Sequence, residues 1–394
     1  MKAVQINVTC GAGSTGRICV GISRALSKQN IENLIYYASG ESDYPLSRKY
    51  MTRSDTKLQA LKSRVFGNYG FNSAKATKRL ILMLEKEKPD VVILHNLHGH
   101  NCHLEMLFEY LKQQRIKTVW VFHDCWAFTG YCPHYDMIGC DRWTDGCHSC
   151  PLKNEFSWIF DKSRSLYEKK KSLFTGLDLT VVTPSDWLRR QTKQSFLKEY
   201  PVCTIHNGID LSVFHPTQSN FRLKHHLENS KIVLGVSYVW NDRKGLDVFL
   251  RLARDLPESH RLVLVGTNDK TDAVLPDNVI SIHRTEDAAS LAEIYTAADV
   301  FVNPTREENY PTVNMEAIAC CTPVVTFDTG GSGEMLTPES GIIVEKNDYD
   351  ALLSAILQAT DGSRYKNGCI GRGQEFDEGA AYVAYAALIN RLFQ

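Results

Sequence analysis

Glu308 and Glu316 are separated by seven residues in the stretch Thr305 to Glu334, TREENYPTVNMEAIACCTPVVTFDTGGSGE. They flank the start of a predicted helix, and a strand and a glycine loop follow. Pro311 fits the first helical turn, where a missing N–H costs nothing, and Val313, Ala317 and Ile318 recur at helical spacing. A helix N-terminus with open amides attracts a diphosphate through its N–H groups and its partial positive charge. A carboxylate one turn inside accepts hydrogen bonds from sugar or ribose hydroxyls, so the chemistry suits a nucleotide sugar. Arg243 and Lys244 lie after the strand IVLGV and just before Gly245. Two cations at a helix entrance aim at a diphosphate, the guanidinium as a two-pronged grip and the ammonium as a point charge. The glycine loop Thr329 to Gly333 is expected to help shape the sugar pocket. Blander readings exist for each: a dipole-matched cap for the glutamates, a solvated loop pair for the cations, and a tight connection for Thr329 to Gly333.

The elements that must position these groups alternate along the chain. VQINV, Arg17 to Gln29, NLIYY, Lys75 to Lys86, DVVILH, KTVWVF, LTVVTPS and VCTIHNG form one series. A second series starts at IVLGV and continues through RLVLVG, VISIH, VFVNPT, PVVTF and GIIV, with helical stretches between. Near-continuous apolar strands separated by helices imply a parallel sheet covered on both faces. A chain of 394 residues exceeds what one core supports. The expected architecture is α/β: two Rossmann-like domains facing each other across a cleft, the arrangement called GT-B. Residues 1–206 form the first and 207–377 the second. His123 ends the strand VWVF at the C-terminal edge of its sheet, where ligands bind in open α/β folds.

The string E-N-Y-P-T-V-N-M-E-A resembles the E-x7-E signature of retaining family 4 glycosyltransferases. VWVFHDCW around His123, TPSDWL at Thr183, IHNGIDLSVFHP at Ile205 and DRKGLDVF at Asp242 occur in that family's order. The resemblance implies transfer of a sugar from a UDP- or GDP-sugar, with retention, to a hydroxyl of a lipid-linked oligosaccharide in surface polysaccharide synthesis. On this reading Glu316 takes the ribose hydroxyls and Glu308 a hydroxyl of the donor sugar, while the amides of Asn309, Tyr310, Pro311 and Thr312 line phosphates and sugar. His123 would meet the sugar near the reacting centre, and Asp124 would orient His123 or the acceptor. The expected course is front-face attack, with the leaving phosphate taking the acceptor's proton. Many relatives carry an arginine directly after the glycine of the strand before Lys244, where this chain has Gly235-Val-Ser-Tyr-Val-Trp240. Arg243 is the candidate to replace it. In similar proteins the last helix, here about 378–394, crosses back onto the first domain.

Gly11-Ala-Gly13-Ser-Thr-Gly16 satisfies the dinucleotide fingerprint and makes a dehydrogenase the first rival. That fold also wants an acidic residue at the end of the second strand, and NLIYYASGES offers only Glu41, beyond a glycine. In family 4 a glycine-rich loop here, with Gly13 at its centre, lets amides approach the donor phosphates or the acceptor. A sugar-nucleotide epimerase and a non-catalytic sugar-nucleotide sensor are further alternatives. No cofactor is expected for catalysis. The D-x-D string of metal-dependent donors occurs only as Asp348-Tyr-Asp350, which reads as a helix N-cap.

Cys132, Cys140, Cys147 and Cys150 include a close C-x2-C pair in a long loop. Structural zinc, two disulfides and four free thiols are the readings left open. Similar bacterial polysaccharide glycosyltransferases carry such an insert after the His-Asp pair, on the acceptor side. Equal numbers of acidic and basic residues, 45 each, exclude a uniform basic field for nucleic acid. Basic helices with Lys162, Arg164, Lys169, Lys170, Lys171, Arg189, Arg190, Lys193 and Lys198 suit an anionic membrane surface. No apolar run reaches the roughly 18 to 20 residues of a membrane span, and MKAVQINVTC enters a strand without a signal-peptide core. The expected location is the cytoplasm, at the inner face of the plasma membrane. Donor base, sugar and linkage are not encoded in these motifs.

Overall fold

The short apolar runs form parallel strands because both of their faces are covered. In β4 (Val91–Leu94), Val92 and Leu94 enter one core and Val91 and Ile93 another. In β8 (Lys231–Val236), Ile232 and Leu234 part from Val233 in the same way. This is the two-residue period of a strand buried on both sides.

The computed structural model describes residues 1–394 apart from Gly99, Gly362 and Ser363. The chain divides into two units, one of Met1–His206 with Gly379–Gln394 and one of Asn207–Glu378. The first contains, in chain order, β1 (Lys2–Asn7), α1 (Gly13–Lys28), β2 (Glu32–Tyr37), β3 (Ser47–Lys49), α2 (Arg53–Phe66), α3 (Ala74–Glu87), β4, α4 (Leu104–Gln113), β5 (Lys117–Val121), α5 (Lys153–Phe156), α6 (Ser163–Phe174), β6 (Leu179–Thr183), α7 (Asp186–Gln194) and β7 (Val202–Thr204). Its seven strands are all parallel in the order β3-β2-β1-β4-β5-β6-β7.

The second unit contains α8 (Phe221–Lys224), β8, α9 (Leu246–Asp255), β9 (His260–Val265), α10 (Asp269–Asp272), β10 (Val279–Ile282), α11 (Ala288–Ala297), β11 (Val300–Asn303), α12 (Thr312–Ala319), β12 (Val324–Phe327), β13 (Gly341–Val344), α13 (Tyr349–Thr360) and α14 (Arg364–Gly373). Its six parallel strands run β10-β9-β8-β11-β12-β13. The last helix, α15 (Glu378–Arg391), buries Tyr385, Ala386, Leu388 and Ile389 against Ile22, Ala25 and Leu26 of α1. Tyr382 lies so close to Gly21 that a Cβ there would fall 2.1 Å from its ring.

Helix starts follow local chemistry. Thr52 and Asp55 make a capping box on α2, Ser185 caps α7, Asp287 caps α11, and Asp348 caps α13 by accepting the Ala351 N–H at 3.0 Å. Asp348 is therefore used as a helix cap, the role its sequence suggested.

Candidate functional site

In the second unit the strand order reverses between β8 and β11, the place where open α/β sheets receive ligands beyond their strand ends. The loop after β8 closes in a single turn, Asp242–Lys244, capped by Asn241, whose side chain accepts the Lys244 N–H at 3.1 Å. Arg306, in the loop after β11, braces this turn. Its N–H donates to the Arg243 carbonyl at 2.9 Å, and its guanidinium grips both Asp247 carboxylate oxygens at 2.7 Å. The brace carries Lys244 Nζ to 2.6 Å from Glu308 Oε2. Glu308 Oε1 accepts the Asn309 N–H at 3.2 Å. The Arg243 guanidinium makes no hydrogen bond or ion pair among the described residues.

Asn309 and Tyr310 are buried, and Pro311, at φ −74°, is the N-cap of α12. The helix thus starts at Thr312, one residue later than the spacing suggested. It has no side-chain cap and no acidic residue in its first turn, so its first amides have no partner within the helix. Glu316, in the second turn, accepts from the Tyr295 hydroxyl at 3.2 Å. Burial, and then the Glu316 charge, raise the Tyr295 pKa well above its usual value and keep that hydroxyl a donor.

The glycine loop lies directly against Glu308. Gly330 has φ +57°, and a Cβ there would fall 1.6 Å from the Glu308 carbonyl oxygen. The next N–H, of Gly331, donates to the Asn309 carbonyl at 3.0 Å. Asn314, fully buried, donates to the Ser332 carbonyl at 3.2 Å and accepts from Asn303 at 2.8 Å. The hydroxyls of Thr329 and Ser332 are buried without a hydrogen-bond partner. Buried polar atoms are almost always partnered, so two orphans beside an uncapped helix point to a ligand or to bound water.

In the first unit the order reverses between β1 and β4. Gly11 (φ +76°) and Gly13 (φ +68°) turn the chain from β1 into α1, whose N-cap, Ala12, offers no side-chain oxygen. Glu41, the one acid available to a dehydrogenase reading, instead pairs with Lys49 at 2.7 Å with an exposed carboxylate.

Past the ends of β4 and β5 lie four polar side chains in two pairs. His95 Nδ1 is 3.2 Å from His123 Nε2, with the rings stacked at 5.5 Å, and His95 Nε2 is 3.0 Å from Gln5 Oε1. Gln5 Nε2 donates to the Cys19 carbonyl at 2.9 Å, which turns its oxygen towards His95. An amide oxygen only accepts, so His95 carries its proton on Nε2 and presents a lone pair at Nδ1. His123 must then donate from Nε2, which makes its Nδ1 an acceptor. Burial, and then His123 itself, push the His95 pKa well below the imidazole range. Burial also pushes His123 down to about 4, with Asp124 opposing. Both rings are neutral at physiological pH.

Asp124 Oδ2 meets His98 Nε2 at 2.7 Å, and its Oδ1 accepts the Trp126 N–H at 2.9 Å. Burial alone would raise the Asp124 pKa, but His98, His134 and the Trp126 amide outweigh it and hold it at about 2. Under this loop sits Lys170, with no exposed surface, donating to the carbonyls of Trp126 at 2.7 Å and Thr129 at 3.0 Å. Its ammonium lies 3.6 Å from the Trp126 ring centre. Burial lowers its pKa to about 7 against the pull of Cys147, Cys132 and Asp124. Lys170 is thus removed from the surface cations expected to meet lipid.

Cys132, Cys140, Cys147 and Cys150 are free thiols that share one neighbourhood. Burial pushes Cys147 and Cys150 up to about 11, which favours neutral sulfur over thiolate. The four-thiolate set left open by the spacing is not assembled. Among the described residues, the only three metal-capable side chains with ligand atoms within 4.8 Å of one another are Asp269, Asp272 and His283, at the surface. The loop is ordered by packing instead. Trp143 lies 5.2 Å from both Phe128 and Tyr135, and Lys170 secures two carbonyls.

Gln5, His95, His98, Lys170, Arg306 and Asn314 escaped sequence reading as site residues, whereas Thr329 and Ser332 belong to the glycine loop that it singled out. For His95 and His98 a signal existed, because HNLH follows the apolar strand VVIL as His123 follows VWVF.

The family description Glycosyltransferase Family 4 matches residues 15–213, and Glycosyl transferases group 1 matches residues 230–361. A putative colanic acid biosynthesis glycosyl transferase of Escherichia coli strain K12 is 22% identical over 365 residues, covering 88% of each chain. An Escherichia coli UDP-Gal:alpha-D-GlcNAc-diphosphoundecaprenol alpha-1,3-galactosyltransferase is 26% identical over 188 residues, 43% of this chain and 48% of that protein. The structure of Anabaena HepE in complex with UDP-glucose superposes with a TM-score of 0.67 at 14% identity, covering 99% of both chains. At that identity the likeness speaks for the fold.

Proposed function

The chain belongs to Glycosyltransferase Family 4, and from that premise we propose that it moves a sugar, with retention, from a nucleoside diphosphate sugar to a hydroxyl of a lipid-linked saccharide. It is a glycosyltransferase of polysaccharide or glycolipid synthesis. One observation carries the donor site: the Lys244–Glu308 pair stands where β8 and β11 diverge, beside the uncapped start of α12 and the partnerless hydroxyls of Thr329 and Ser332.

In this reading the diphosphate lies on the α12 amides and Lys244, with Arg243 adding a guanidinium that no other group claims. These charges stabilise the leaving phosphate as the anomeric C–O bond lengthens, and preorganised donors of this kind supply the largest part of such catalysis. Glu316 takes the ribose, and Glu308 takes a sugar hydroxyl and holds Lys244 in place. The acceptor oxygen bonds to the anomeric carbon on the face the phosphate leaves, and its proton passes to the phosphate oxygen. His123, neutral and accepting at Nδ1, receives a hydrogen bond from a sugar hydroxyl, and Asp124 orients the acceptor side. The donor phosphates are neutralised by protein groups, so chelator leaves turnover intact. A UDP-sugar donor and a diphospholipid acceptor are supported by the substrates named for the galactosyltransferase relative.

The test is a panel of UDP- and GDP-sugars with a lipid-linked acceptor, read by nucleoside diphosphate release, mass spectrometry and NMR of the new anomeric centre. Expected are α product from α donor and loss of product in Glu308→Ala and His123→Ala while donor binding survives. Turnover of the donor alone to an isomer, without acceptor, would point to an epimerase.

A further inference from the structure

Helix α2 is amphipathic in the wrong sense for a helix on the surface of a water-soluble unit. Its buried positions are Gln59 and Ser63, whereas Leu58 and Leu61 are 50% and 53% exposed. Leu58, Leu61 and Val65 recur at helical spacing and share one stripe. Phe66, 51% exposed, ends the helix.

A second exposed apolar group abuts this end. Trp158, Ile159 and Phe160 are consecutive and exposed by 58%, 58% and 49%. Their loop is fixed to α2, since the Trp158 N–H donates to the Arg64 carbonyl at 2.7 Å and the Tyr131 hydroxyl bridges the carbonyls of Gly67 at 3.2 Å and Phe160 at 3.4 Å. Lys162, which donates to Asn68 Oδ1 at 2.9 Å, closes the join. Leu58, Leu61 and Phe66 of α2 and the adjoining Trp158, Ile159 and Phe160 thus place six large exposed apolar side chains on two joined segments, where scattered single ones are the rule.

The rim of this face is basic. Arg53, Lys57, Lys62 and Arg64 lie along α2, Lys153 Nζ donates to the Trp158 carbonyl at 3.4 Å, and Lys162 Nζ lies 5.8 Å from the Phe160 ring centre. The acids close by are already engaged or fewer: Asp55 pairs with Arg79, Asp161 accepts from the amides of Cys150 and Ser163, and Glu155 is exposed. Aromatic and leucine side chains ringed by lysine and arginine match an anionic lipid interface, where the apolar groups enter the acyl boundary and the cations meet headgroups.

We propose that the exposed stripe of α2 and the Trp158–Phe160 loop form one docking face for an anionic bilayer, through which this unit sits on the membrane that bears its acceptor. The inference rests on the lipid-linked acceptor of the preceding reading but locates the contact elsewhere than the basic helices α6 and α7. The charge asymmetry selects lipid over a second copy of the chain, because two such basic rims would repel.

The experiment is flotation of the full chain with vesicles of phosphatidylglycerol mixed with phosphatidylcholine, against phosphatidylcholine alone, without donor or acceptor. Binding is expected only with the anionic lipid and should fall with added salt. Each cation removed from the rim should weaken it about fivefold, so Lys57→Ser/Lys62→Ser should lose about 25-fold. Leu58→Ser/Leu61→Ser and Trp158→Ser/Phe160→Ser should each lose about tenfold or more, with unchanged melting because all four positions are exposed. Brominated lipid should quench wild-type tryptophan fluorescence and leave Trp158→Phe largely unquenched. Undiminished binding in the apolar variants overturns the proposal, as does wild type that stays unbound. A wild-type dimer that the same variants convert to monomer also overturns it. The vesicle measurement separates the two readings: binding without any transfer contradicts the proposed function and leaves this face standing, and transfer to a short-chain acceptor without vesicle binding does the reverse.

Discussion

Gly330→Ala tests how the donor pocket is assembled. The new Cβ would lie 1.6 Å from the Glu308 carbonyl oxygen, so the two segments must part by about 1.4 Å to reach the 3.0 Å that Cβ atoms keep. The atom in the way belongs to the backbone and has no rotamer to change. Alanine at φ +57° adds about 1–2 kcal/mol of left-handed strain, and the overpacking adds about 1–3 kcal/mol. A loss of about 2–5 kcal/mol in the second unit is expected, or about 5–15 °C in its melting temperature. Because the displaced residue holds Lys244 at 2.6 Å, a shift of this size should also lower kcat/KM for the donor about a hundredfold. Calorimetry and steady-state kinetics read the two effects. Gly371→Ala, in α14 with open space around its Cβ, is the control and should be neutral or slightly stabilising. A Gly330→Ala protein with wild-type melting and activity would refute the claim that this loop sets Glu308.

Other outcomes follow from the same geometry. Lys244→Met should raise the donor KM about 10- to 100-fold through loss of a charge-assisted phosphate contact, with melting nearly unchanged and binding of a nucleoside without phosphates unaffected. Gln5→Leu strands the buried His95 N–H, costing about 1–3 kcal/mol; long-range proton–nitrogen NMR should show His123 changing from one ring tautomer to a mixture. His123 and His95 are neutral in the fold and titrate near 6.5 when unfolded. The unfolded chain then takes up protons first, and stability should fall as pH drops from about 6.5 towards 4, by about 3 kcal/mol for His123 alone. His123→Asn should remove that part of the slope. Asp124 has a depressed pKa, so its contribution, present above about 3.8, is lost only as pH falls from there towards 2.

Much of the fold was legible because a parallel sheet buried on both faces writes itself as continuous apolar strands, such as VVIL and IVLGV, between amphipathic helices. The pairing of Lys244 with Glu308 was half legible. Each residue type suggested phosphate or sugar chemistry, yet their 2.6 Å contact depends on β8 lying next to β11, and a sequence does not print strand order. Gln5 and His95 are hidden for the same reason, meeting only because β1 is the neighbour of β4. Lys170 was misread as a surface cation by its type, although its spacing from Leu166, Tyr167 and Phe174 places it on the buried stripe of α6. The cysteine spacing left metal, disulfides and free thiols all open because nothing in the letters shows that Trp143, Tyr135 and Phe128 pack the same loop. The exposed stripe of α2 is invisible to periodicity, which shows that a helix has two faces and not which one the fold turns inwards.

The most direct measurement is a crystal structure with a bound UDP- or GDP-sugar. The account predicts the diphosphate on the Thr312 and Val313 amides and within hydrogen-bond reach of Lys244 Nζ, with the sugar beside Glu308 and the Thr329 and Ser332 hydroxyls. A nucleotide seated on Gly11 to Gly16 alone, with the start of α12 empty, would contradict it.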